Sequence, residues 1–527
     1  MPGLLLVQAG SDTCTLRDLQ RRPDIVIFSK PWIRVPTNGI RAASWDDAFR
    51  RVTSIATDGF ANAGKLVSPL PSGFPPGPPG NAAVGMLANP LAYLETTQRR
   101  HGKVVGLKLG PEAVILVSDQ STAHEVLSTR ASSFAKEGTA FFPGSRLAGN
   151  GLLVSDGSTW RRQRQLSNPA FRRAAVAVYS EAMEAAARSL AMSTWADGAS
   201  RDVYADYNAL TLDIVTNVLF GWDLPADQAN TIVGSIKVAF EFFANQAGIG
   251  IPEWIPTPGQ QQYIQAVQRL DAVVYGIIEE RTRELEQSRR EPQCLLDNLL
   301  TARDEQGQPM ARTALRDELM TLLVAGQETS AVLLAWTTAF LAFNPQVQAR
   351  AAAEIDEKMR GDVPTAQNTR ELPYLESVLL ETLRLRPPAY LVGRSCTEAI
   401  QVQRYTIPTG TTFLISPYLM HRDRGAWGSD AAAFDPDRWR TVRPNKPLGC
   451  LDLMQGLGHN GSYLPFGAGP RNCIGTGFAI SEALVVLCTA LQRYTFSPQS
   501  TAFPQAAARI TLRPGPVRLT IRSRRSA

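Results

Sequence analysis

The 527-residue chain contains few of the residue types on which several common kinds of site depend. It has six cysteines and four histidines, and no cysteine has a close cysteine partner in the sequence. Cysteines scattered through so long a chain argue against a disulfide scaffold, although their even number leaves paired cysteines as the alternative. No second cysteine and no histidine stands at zinc-site spacing from Cys473, so the sequence does not indicate a structural zinc centre there.

Long runs of one charge and long apolar runs are also missing. The chain carries 54 Lys and Arg against 48 Asp and Glu, interspersed, for a net charge of +6. Nucleic-acid-binding proteins usually concentrate positive charge, so this pattern favours a mildly basic globular enzyme whose basic face could attract an acidic electron-transfer partner or anionic lipid. No segment reaches the roughly 18 to 20 consecutive apolar residues of a membrane-spanning helix. We therefore expect a soluble or peripherally attached protein without a nucleic-acid partner.

Residues 1–68 differ from the rest of the chain. Arginines and acidic residues are mixed there, whereas transit peptides are acid-poor, so an organelle-targeting segment is one option and a folded extension another. Apolar residues recur on one helical face at Trp45, Phe49, Val52, Ala56 and Phe60. This spacing predicts a helix, which we favour as packed on the catalytic body over lying on a membrane. The proline-rich connector from Pro69 to Gly80 then predicts a boundary between residues 1–68 and a catalytic domain at 69–527.

The larger domain is predicted to be mainly α, with small β-sheets at one side. Helical spacing prevails from Ser121 to about Glu286, and a very apolar helix from Asp317 to Phe343 is expected to be buried. Other predicted helices span 90–100, 345–358, 374–386 and 475–494. Predicted strands span 104–109, 113–117, 400–405 and 411–415. An apolar proline-rich loop is expected at 251–259, and the stretch 417–463 is expected to be irregular but structured.

The segment from Phe466 to Gly475 places one cysteine in a glycine-containing loop directly ahead of a helix. A thiolate persists at neutral pH when a metal, positive charge, backbone N–H groups or a helix N-terminus stabilises it, and all but the metal are visible here. Gly467 and Gly469 let the backbone approach a flat ligand closely. Arg471 could hold an anionic group through two hydrogen bonds, or lie at the surface. From these residues alone, Cys473 could be a metal ligand, a nucleophile or a redox thiol.

This segment resembles the haem-binding signature of the cytochrome P-450 superfamily. The matching positions are Phe466, Gly469, Arg471, Cys473 and Gly475. The resemblance implies that Cys473 is the proximal thiolate ligand of haem b (iron protoporphyrin IX). It also implies the family's helical prism, with the haem between the long central helix and the helix after the cysteine loop. A histidine can also ligate haem iron, but His421 lies in a segment that resembles a structural part of the family.

A second match lies within the apolar helix. Residues Ala325 to Ser330 fit the family's oxygen-activation motif, A/G-G-x-D/E-T-T/S, at every fixed position. The resemblance implies that Thr329 hydrogen-bonds the oxygen being activated and that Glu328 belongs to the chain that delivers protons. The alternative is that Thr329 bonds back to the carbonyl one turn earlier and merely bends the helix. An unpaired carboxylate in an apolar helix is costly, so Glu328 favours the functional interpretation.

Glu381 and Arg384 lie three residues apart and so share a helix face, where they can form an ion pair. They resemble the family's Glu-Arg-Arg cluster, whose third member would be Arg438. The resemblance implies that Arg438 locks the irregular loop onto this helix and so positions the cysteine loop. The alternative is an exposed helix pair worth a few tenths of a kcal/mol.

Three further residues are assigned to the haem propionates by resemblance. Trp160 and Arg164 lie four residues apart on one helix face, which matches the family's W-x-x-x-R pattern. Arg394 matches another position at which the family often places a propionate ligand.

The resemblance covers about residue 70 to the C-terminus and implies a haem-thiolate monooxygenase. Such an enzyme inserts one oxygen atom from O2 into a lipophilic substrate, here a fatty acid or a carotenoid or other terpenoid. We expect a separate electron donor, a ferredoxin or a flavoprotein reductase, and an intracellular location with a plastid or mitochondrion as an option. The alternatives are a haem-thiolate isomerase or dehydratase acting on a hydroperoxide, which would not need Glu328 and Thr329, and a non-catalytic haem protein that serves redox or gas binding.

Overall fold

The computed structural model describes residues 7–9, 12–14, 70–136, 146–221, 224–245, 259–287, 292–439 and 462–524. The chain separates into two units, Met1–Ser68 and Pro69–Ala527. In the first unit the structure describes one antiparallel pair, β1 (Val7–Ala9) with β2 (Asp12–Cys14). The helix predicted between Trp45 and Phe60 and the loop predicted from residue 251 lie outside the described residues, apart from Gly259 at the end of the loop.

Helices make up most of the second unit. In chain order, the described α-helices are α1 (Ala82–Ala88), α2 (Pro90–His101), α3 (Gln120–His124), α4 (Gly157–Ser167), α5 (Arg173–Ser189), α6 (Val203–Phe220), α7 (Ala226–Asn245), α8 (Gln260–Gln287), α9 (Leu295–Thr301), α10 (Arg312–Phe343), α11 (Pro345–Met359), α12 (Pro373–Leu385), α13 (Pro417–Met420), α14 (Arg424–Trp427) and α15 (Thr476–Arg493). The strands are β3 (Val104–Leu109), β4 (Glu112–Val117), β5 (Phe134–Ala135), β6 (Ala199–Asp202), β7 (Val392–Cys396), β8 (Ile400–Val402), β9 (Tyr405–Ile407), β10 (Thr412–Ile415), β11 (Tyr494–Pro498), β12 (Ala506–Ala508), β13 (Leu512–Pro514) and β14 (Arg518–Ser523). This composition confirms the predicted mainly α class.

Helix α10 runs through the hydrophobic core and packs along α6. It begins at Arg312 rather than at Asp317, and it ends as predicted at Phe343, before Pro345. Proline supplies no N–H group and disfavours helical geometry in the residue before it, which explains this end. By length and composition alone α10 could cross a membrane, but most of its apolar window is buried in the protein, which is the behaviour predicted for a core helix.

The largest described sheet has the strand order β3-β4-β10-β7-β5, in which β10 pairs parallel to β4 and the other pairs are antiparallel. Strand β7 was not predicted, because Gly393, Arg394 and Ser395 interrupt any apolar alternation. The single strand predicted at 400–405 is wrong. The structure has the hairpin β8–β9 instead, and Gln403 at its turn has a left-handed φ of 52°. A residue in that conformation reverses the chain and cannot continue a strand.

Candidate active site

The loop that carries Cys473 is fixed by its own backbone and by close packing. The Cys473 amide donates to the Phe466 carbonyl at 2.9 Å, and the Gly467 amide donates to the Leu464 carbonyl at 3.2 Å. Gly469 has a φ of 68°, and a Cβ there would lie 1.8 Å from the Leu127 carbonyl oxygen. Only glycine allows both this conformation and this approach, so the loop depends on Gly469 for its shape.

Cys473 is a free cysteine that keeps accessible surface. The protein nevertheless surrounds it closely enough that burial raises the pKa of its thiol. The amide of Gly475, the hydroxyl of Thr476 and the charges of Arg164 and Lys136 act in the opposite direction and favour the thiolate. Thr476 begins α15, so its backbone also places a helix N-terminus by the sulfur. A metal ion would add the stabilisation that these groups alone do not supply.

Arg471 is held from two sides and has one nitrogen left over. Its Nη2 donates to the Ser155 carbonyl at 2.8 Å and to the Asp156 carboxylate, and its guanidinium lies over the Trp160 ring at 4.4 Å. Its Nη1 is buried and has no hydrogen-bond partner among the described residues. An unsatisfied buried donor on a cation is costly, so this nitrogen fits an anionic acceptor supplied by a ligand.

Lys136 joins Arg471 in a cationic cluster that the sequence did not reveal. Burial, followed by the charges of Arg394 and Arg471, lowers the pKa of Lys136 to about 7. Burial, followed by Arg471, likewise lowers the pKa of Arg394 to about 10. Asp156 is the carboxylate that opposes both shifts. Two arginines and a lysine that is about half protonated at pH 7 stand against one carboxylate, so the cluster is able to bind an anionic group, and such a group would favour the charged form of Lys136.

Arg164 contacts the cysteine loop directly. Its Nη1 donates to the carbonyl of Asn472 at 2.8 Å, its Nη2 to the Asn472 side-chain oxygen at 3.0 Å, and its Nε to Asn168 at 3.0 Å. Asn472 precedes Cys473, so these bonds attach α4 to the loop beside the thiol. A contact of Arg164 with a propionate stays a prediction.

On α10, Thr329 adopts the local geometry expected for the alternative interpretation, because its hydroxyl donates to the Ala325 carbonyl at 2.6 Å. The same turn is also bonded to α6. The Thr211 hydroxyl donates to the Gln327 carbonyl at 3.0 Å, and the Gln327 amide donates to the Asn208 side chain at 2.9 Å. Helix α6 is therefore hydrogen-bonded, through Thr211 and Asn208, to the turn of α10 that carries Thr329.

The side chain of Glu328 is hydrogen-bonded to a residue far away in the sequence. Its Oε1 accepts a hydrogen bond of 2.7 Å from the Thr511 hydroxyl, at the turn between β12 and β13. It also lies close enough to Tyr204 to raise the pKa of that phenol, although burial is the larger cause. The carboxylate is therefore half-buried and hydrogen-bonded, and no sequence signal identified Thr511 as its partner.

Glu381 and Arg384 form a fully buried ion pair, with both side chains at 0% exposure. Arg384 binds both carboxylate oxygens at 2.8 Å. Its remaining N–H groups donate to three backbone carbonyls at 2.6 to 3.0 Å, those of His421, Ala431 and Ala433. Glu381 also accepts from the Asp435 amide and the Trp439 indole, both at 3.0 Å. The pair therefore holds the chain after α12 against that helix.

Arg438 lies at the edge of this cluster. Its Nε is 3.6 Å from Glu381, while its terminal nitrogens bond Asp430 at 2.8 Å and the Trp427 carbonyl at 2.9 Å. The structure thus brings all three residues of the predicted Glu-Arg-Arg cluster together, with the closest contacts of Arg438 inside the irregular stretch. Its locking role stays a prediction.

Most of the chain matches a single protein family. The family model for cytochrome P450 matches residues 75–521. The chain belongs to the cytochrome P450 family. It is 31% identical to cyclooctatin synthase of Streptomyces melanosporofaciens over 440 residues. This alignment covers 83% of this chain and 92% of that protein. It is 30% identical to protein LUTEIN DEFICIENT 5, chloroplastic, of Arabidopsis thaliana, over 75% of this chain and 67% of that protein. It is 29% identical to pentalenene oxygenase of Streptomyces avermitilis, over 81% of this chain and 91% of that protein.

As a cytochrome P450, the protein is an oxidoreductase that incorporates oxygen and binds haem b through a cysteine thiolate. Family membership implies O2, a lipophilic substrate and a redox partner. The residues around Cys473 fit such a group. The thiol has accessible surface, Arg471 Nη1 has no hydrogen-bond acceptor within the described part of the chain, and the cluster with Lys136 and Arg394 has an excess of basic groups that carboxylates of a ligand would balance.

His421 does not fit the role of a cytochrome P450 iron ligand. Its Nε2 accepts from the Leu464 amide at 2.8 Å, and its Nδ1 lies 3.2 Å from the Arg384 carbonyl. Burial, followed by the charge of Arg384, lowers the pKa of His421 to about 3. The neutral ring therefore uses both nitrogens, one as acceptor and one as donor, to join the end of α12 to the start of the cysteine loop.

Proposed function

We propose that this cytochrome P450 is a monooxygenase of terpenoid or carotenoid substrates, with Cys473 as the iron ligand and a separate protein as the electron donor. The observation that carries the proposal is the Cys473 loop, with its free thiol beside the cationic cluster of Lys136, Arg394 and Arg471. The substrate class is supported by relatives whose names refer to cyclooctat-9-en-7-ol, pentalenene and lutein, all of them isoprenoids.

The two helices that carry the chemistry touch each other. Ser330, the residue after Thr329, donates a hydrogen bond to Glu482 on α15, the helix that starts next to Cys473. When bound by Cys473, the haem would supply the redox chemistry that activates O2 for insertion of one oxygen atom into the substrate. Insertion of one oxygen atom from O2 consumes two electrons from the donor and two protons. The Thr329 hydroxyl would orient these protons, and Glu328, which accepts a hydrogen bond from Thr511, would deliver them.

The test of the function uses the purified haem-bound protein. We expect the reduced carbon monoxide complex to absorb at about 450 nm, as thiolate ligation implies. A screen of diterpene, sesquiterpene, carotenoid and fatty-acid ligands is then expected to give a low-to-high-spin shift with an isoprenoid. A band at about 420 nm in fresh protein would contradict the thiolate ligand. A shift only with fatty acids would contradict the substrate class, and turnover of a hydroperoxide without O2 or reductant would favour the isomerase alternative.

Replacing Thr329 by alanine is expected to leave haem and substrate binding intact but to divert electrons from product to hydrogen peroxide. The loss of a positioned hydroxyl lowers the yield of product per electron pair by roughly tenfold or more. The matched control is Thr337→Ala on the same helix, because Thr337 also bonds back to a carbonyl, that of Leu333, at 2.8 Å. Equal yields of product and peroxide in the two variants would show that Thr329 has only its local structural role.

Replacing Lys136 by methionine is expected to weaken haem retention, because the variant removes one of the three cations proposed to hold the propionates. Loss of one charge-assisted hydrogen bond of about 1.5–3 kcal/mol corresponds to roughly a 10- to 100-fold faster transfer of haem to apomyoglobin. Lys358→Met serves as the control, since Lys358 is half-exposed and pairs with Glu357 on α11. Transfer rates that match in the two variants would remove Lys136 from the site.

A further inference from the structure

We infer that Glu318 is a positioning residue for Arg471, and that it acts through the segment from Arg146 to Asp156 and through α4. The inference rests on the proposed function, in which Arg471 binds a haem propionate. Glu318 lies on α10, two turns before the motif that contains Thr329, and none of the family-like motifs includes it. Its side chain is completely buried, at 0% exposure.

Three consecutive residues of α10 bind the backbone of this segment. Glu318 Oε2 accepts from the Leu152 amide at 3.1 Å, and Asp317 Oδ2 accepts from the Asn150 amide at 2.9 Å. Arg316 donates to the carbonyls of Leu147 and Arg146 at 3.0 and 2.9 Å. These bonds involve main-chain groups of the segment, so they fix the path of its backbone.

The segment lies against α10 so closely that glycine is required at two positions. A Cβ on Gly149 would lie 2.0 Å from an Asp317 carboxylate oxygen, and Gly149 has a φ of 55°. A Cβ on Gly151 would lie 2.6 Å from the Asp317 carbonyl oxygen, which belongs to the helix backbone and cannot move aside. The segment is therefore in direct contact with α10 at both glycines.

The second half of the path runs from Glu318 to Arg471 through Gln163. When the Gln163 amide is oriented with its nitrogen toward these acceptors, that nitrogen lies 3.1 Å from Glu318 Oε1 and 2.9 Å from the Ser155 hydroxyl oxygen. The Ser155 carbonyl and the adjacent Asp156 carboxylate bind Arg471 Nη2. Gln163 is on α4, which also carries Trp160 beneath the Arg471 guanidinium. The Glu318 carboxyl thus contacts both the segment that carries Ser155 and Asp156 and the helix that carries Trp160.

The arrangement predicts what removal of Glu318 does to the haem site. Without an acceptor, the Leu152 amide and the Gln163 amide lose a buried partner. Arg316 and Asp317 still hold residues 146–150, so we expect the shift to fall on the end of the segment that carries Ser155 and Asp156. Arg471 keeps its own side chain but no longer holds its orientation. Glu318→Gln retains an oxygen for the Leu152 amide, so it should restore most of the function that Glu318→Leu loses.

The test compares haem-bound Glu318→Leu and Glu318→Gln with the parent protein. The readouts are the propionate bending band in the resonance Raman spectrum, which reports hydrogen bonding to the haem carboxylates, and the rate of haem transfer to apomyoglobin. We expect Glu318→Leu to shift the band and to speed transfer by about tenfold, and Glu318→Gln to stay close to the parent. Gln163→Met interrupts the path from the α4 side and is expected to shift the band in the same direction.

Asp297→Asn provides the matched control. Asp297 is another buried acid at a helix start, where it accepts from the Gln293 and Cys294 amides, and the path to Arg471 does not include it. The Asp297→Asn variant should have a lower unfolding temperature than the parent protein but an unshifted propionate band. A band shift as large as that of Glu318→Leu would show that general destabilisation, and not the path to Arg471, moves the band, and it would overturn the inference.

Arg471→Ala separates failure of this inference from failure of the proposed function. An unchanged band and transfer rate in Arg471→Ala would contradict the proposed propionate contact itself. A shift in Arg471→Ala without one in Glu318→Leu and Gln163→Met would overturn only the positioning role. If Glu318 acts through Arg471, the double variant Glu318→Leu/Arg471→Ala should transfer haem no faster than Arg471→Ala alone, whereas additive rates would contradict the shared path.

Discussion

Replacement of Arg384 by alanine is expected to yield protein that contains no bound haem. Arg384 is completely buried, and its N–H groups bind Glu381 and the carbonyls of His421, Ala431 and Ala433. Its removal leaves a buried carboxylate without its counter-charge and three carbonyls short of donors. Breaking such a buried pair costs about 3–5 kcal/mol. That is a large part of the roughly 5–15 kcal/mol by which a folded domain is stable.

We expect the loss to extend to haem binding because the cluster is hydrogen-bonded, through His421, to the chain that leads into the cysteine loop. The Arg384 carbonyl lies 3.2 Å from His421 Nδ1, and His421 Nε2 accepts from the Leu464 amide two residues before Phe466. A shift at the end of α12 therefore reaches the backbone that leads to Cys473. Arg384→Lys is expected to fail as well, since one ammonium group cannot reproduce the planar set of donors that four residues use.

Haem stoichiometry by the pyridine haemochrome assay checks this prediction. Arg350→Ala is the control, because Arg350 also pairs with an acid in the same stretch, Asp437, but at the surface with 43% and 48% exposure. Surface pairs contribute about 0–1 kcal/mol, so this variant should keep a full complement of haem. Normal haem content in Arg384→Ala would show that the cluster does not position the loop.

The contrast between Glu381 and its partners shows how far the sequence could predict this site. Three residues of separation put Glu381 and Arg384 on one helix face, which is a local property that spacing reveals. The acceptance of hydrogen bonds from Asp435 and Trp439 depends on how a later, irregular stretch folds back. No periodicity describes such a stretch, so the burial that makes the pair strong was visible only in the structure.

The cationic cluster illustrates the same limit in a sheet. Lys136 comes near Arg394 because β5 pairs with β7, with Ala135 opposite Ser395. Strand β5 has two residues and β7 has an arginine at its centre, so neither shows the apolar alternation by which strands are predicted. Arg164 is a different case, since its position on a helix face could be predicted but its choice of Asn472 as acceptor could not.

Replacement of Glu482 by glutamine is expected to stabilise the protein increasingly as the pH rises. Glu482 is fully buried on α15, where one oxygen accepts from Ser330 and the other, Oε1, has no hydrogen-bond partner in the described part of the chain. Burial raises the pKa of this carboxyl from 4.5 to about 8. Between these two values the folded state binds more protons than the unfolded state, so the free energy of unfolding falls as the pH increases.

The size of the effect follows from the same pKa values. A carboxyl whose pKa moves from 4.5 to about 8 on folding removes up to about 5 kcal/mol of stability once the pH exceeds both values. Glutamine has no proton to lose and can still accept from Ser330, so the variant should lack this fall. Urea unfolding at pH 5, 7 and 9 should show nearly equal midpoints at the lowest pH and a clear advantage of Glu482→Gln at the highest.

Comparing the two proteins at each pH isolates Glu482 from other buried groups. Glu318, with its pKa also raised to about 8 by burial, lowers stability over the same range, and His421, with its pKa lowered to about 3, lowers stability toward acid pH. Both groups are present in the parent and the variant, so their contributions cancel in the difference. Glu357→Gln, at an exposed position on α11, should show no pH-dependent difference from the parent. Parallel curves for Glu482→Gln would mean that Glu482 titrates in the folded protein as it does in the unfolded chain.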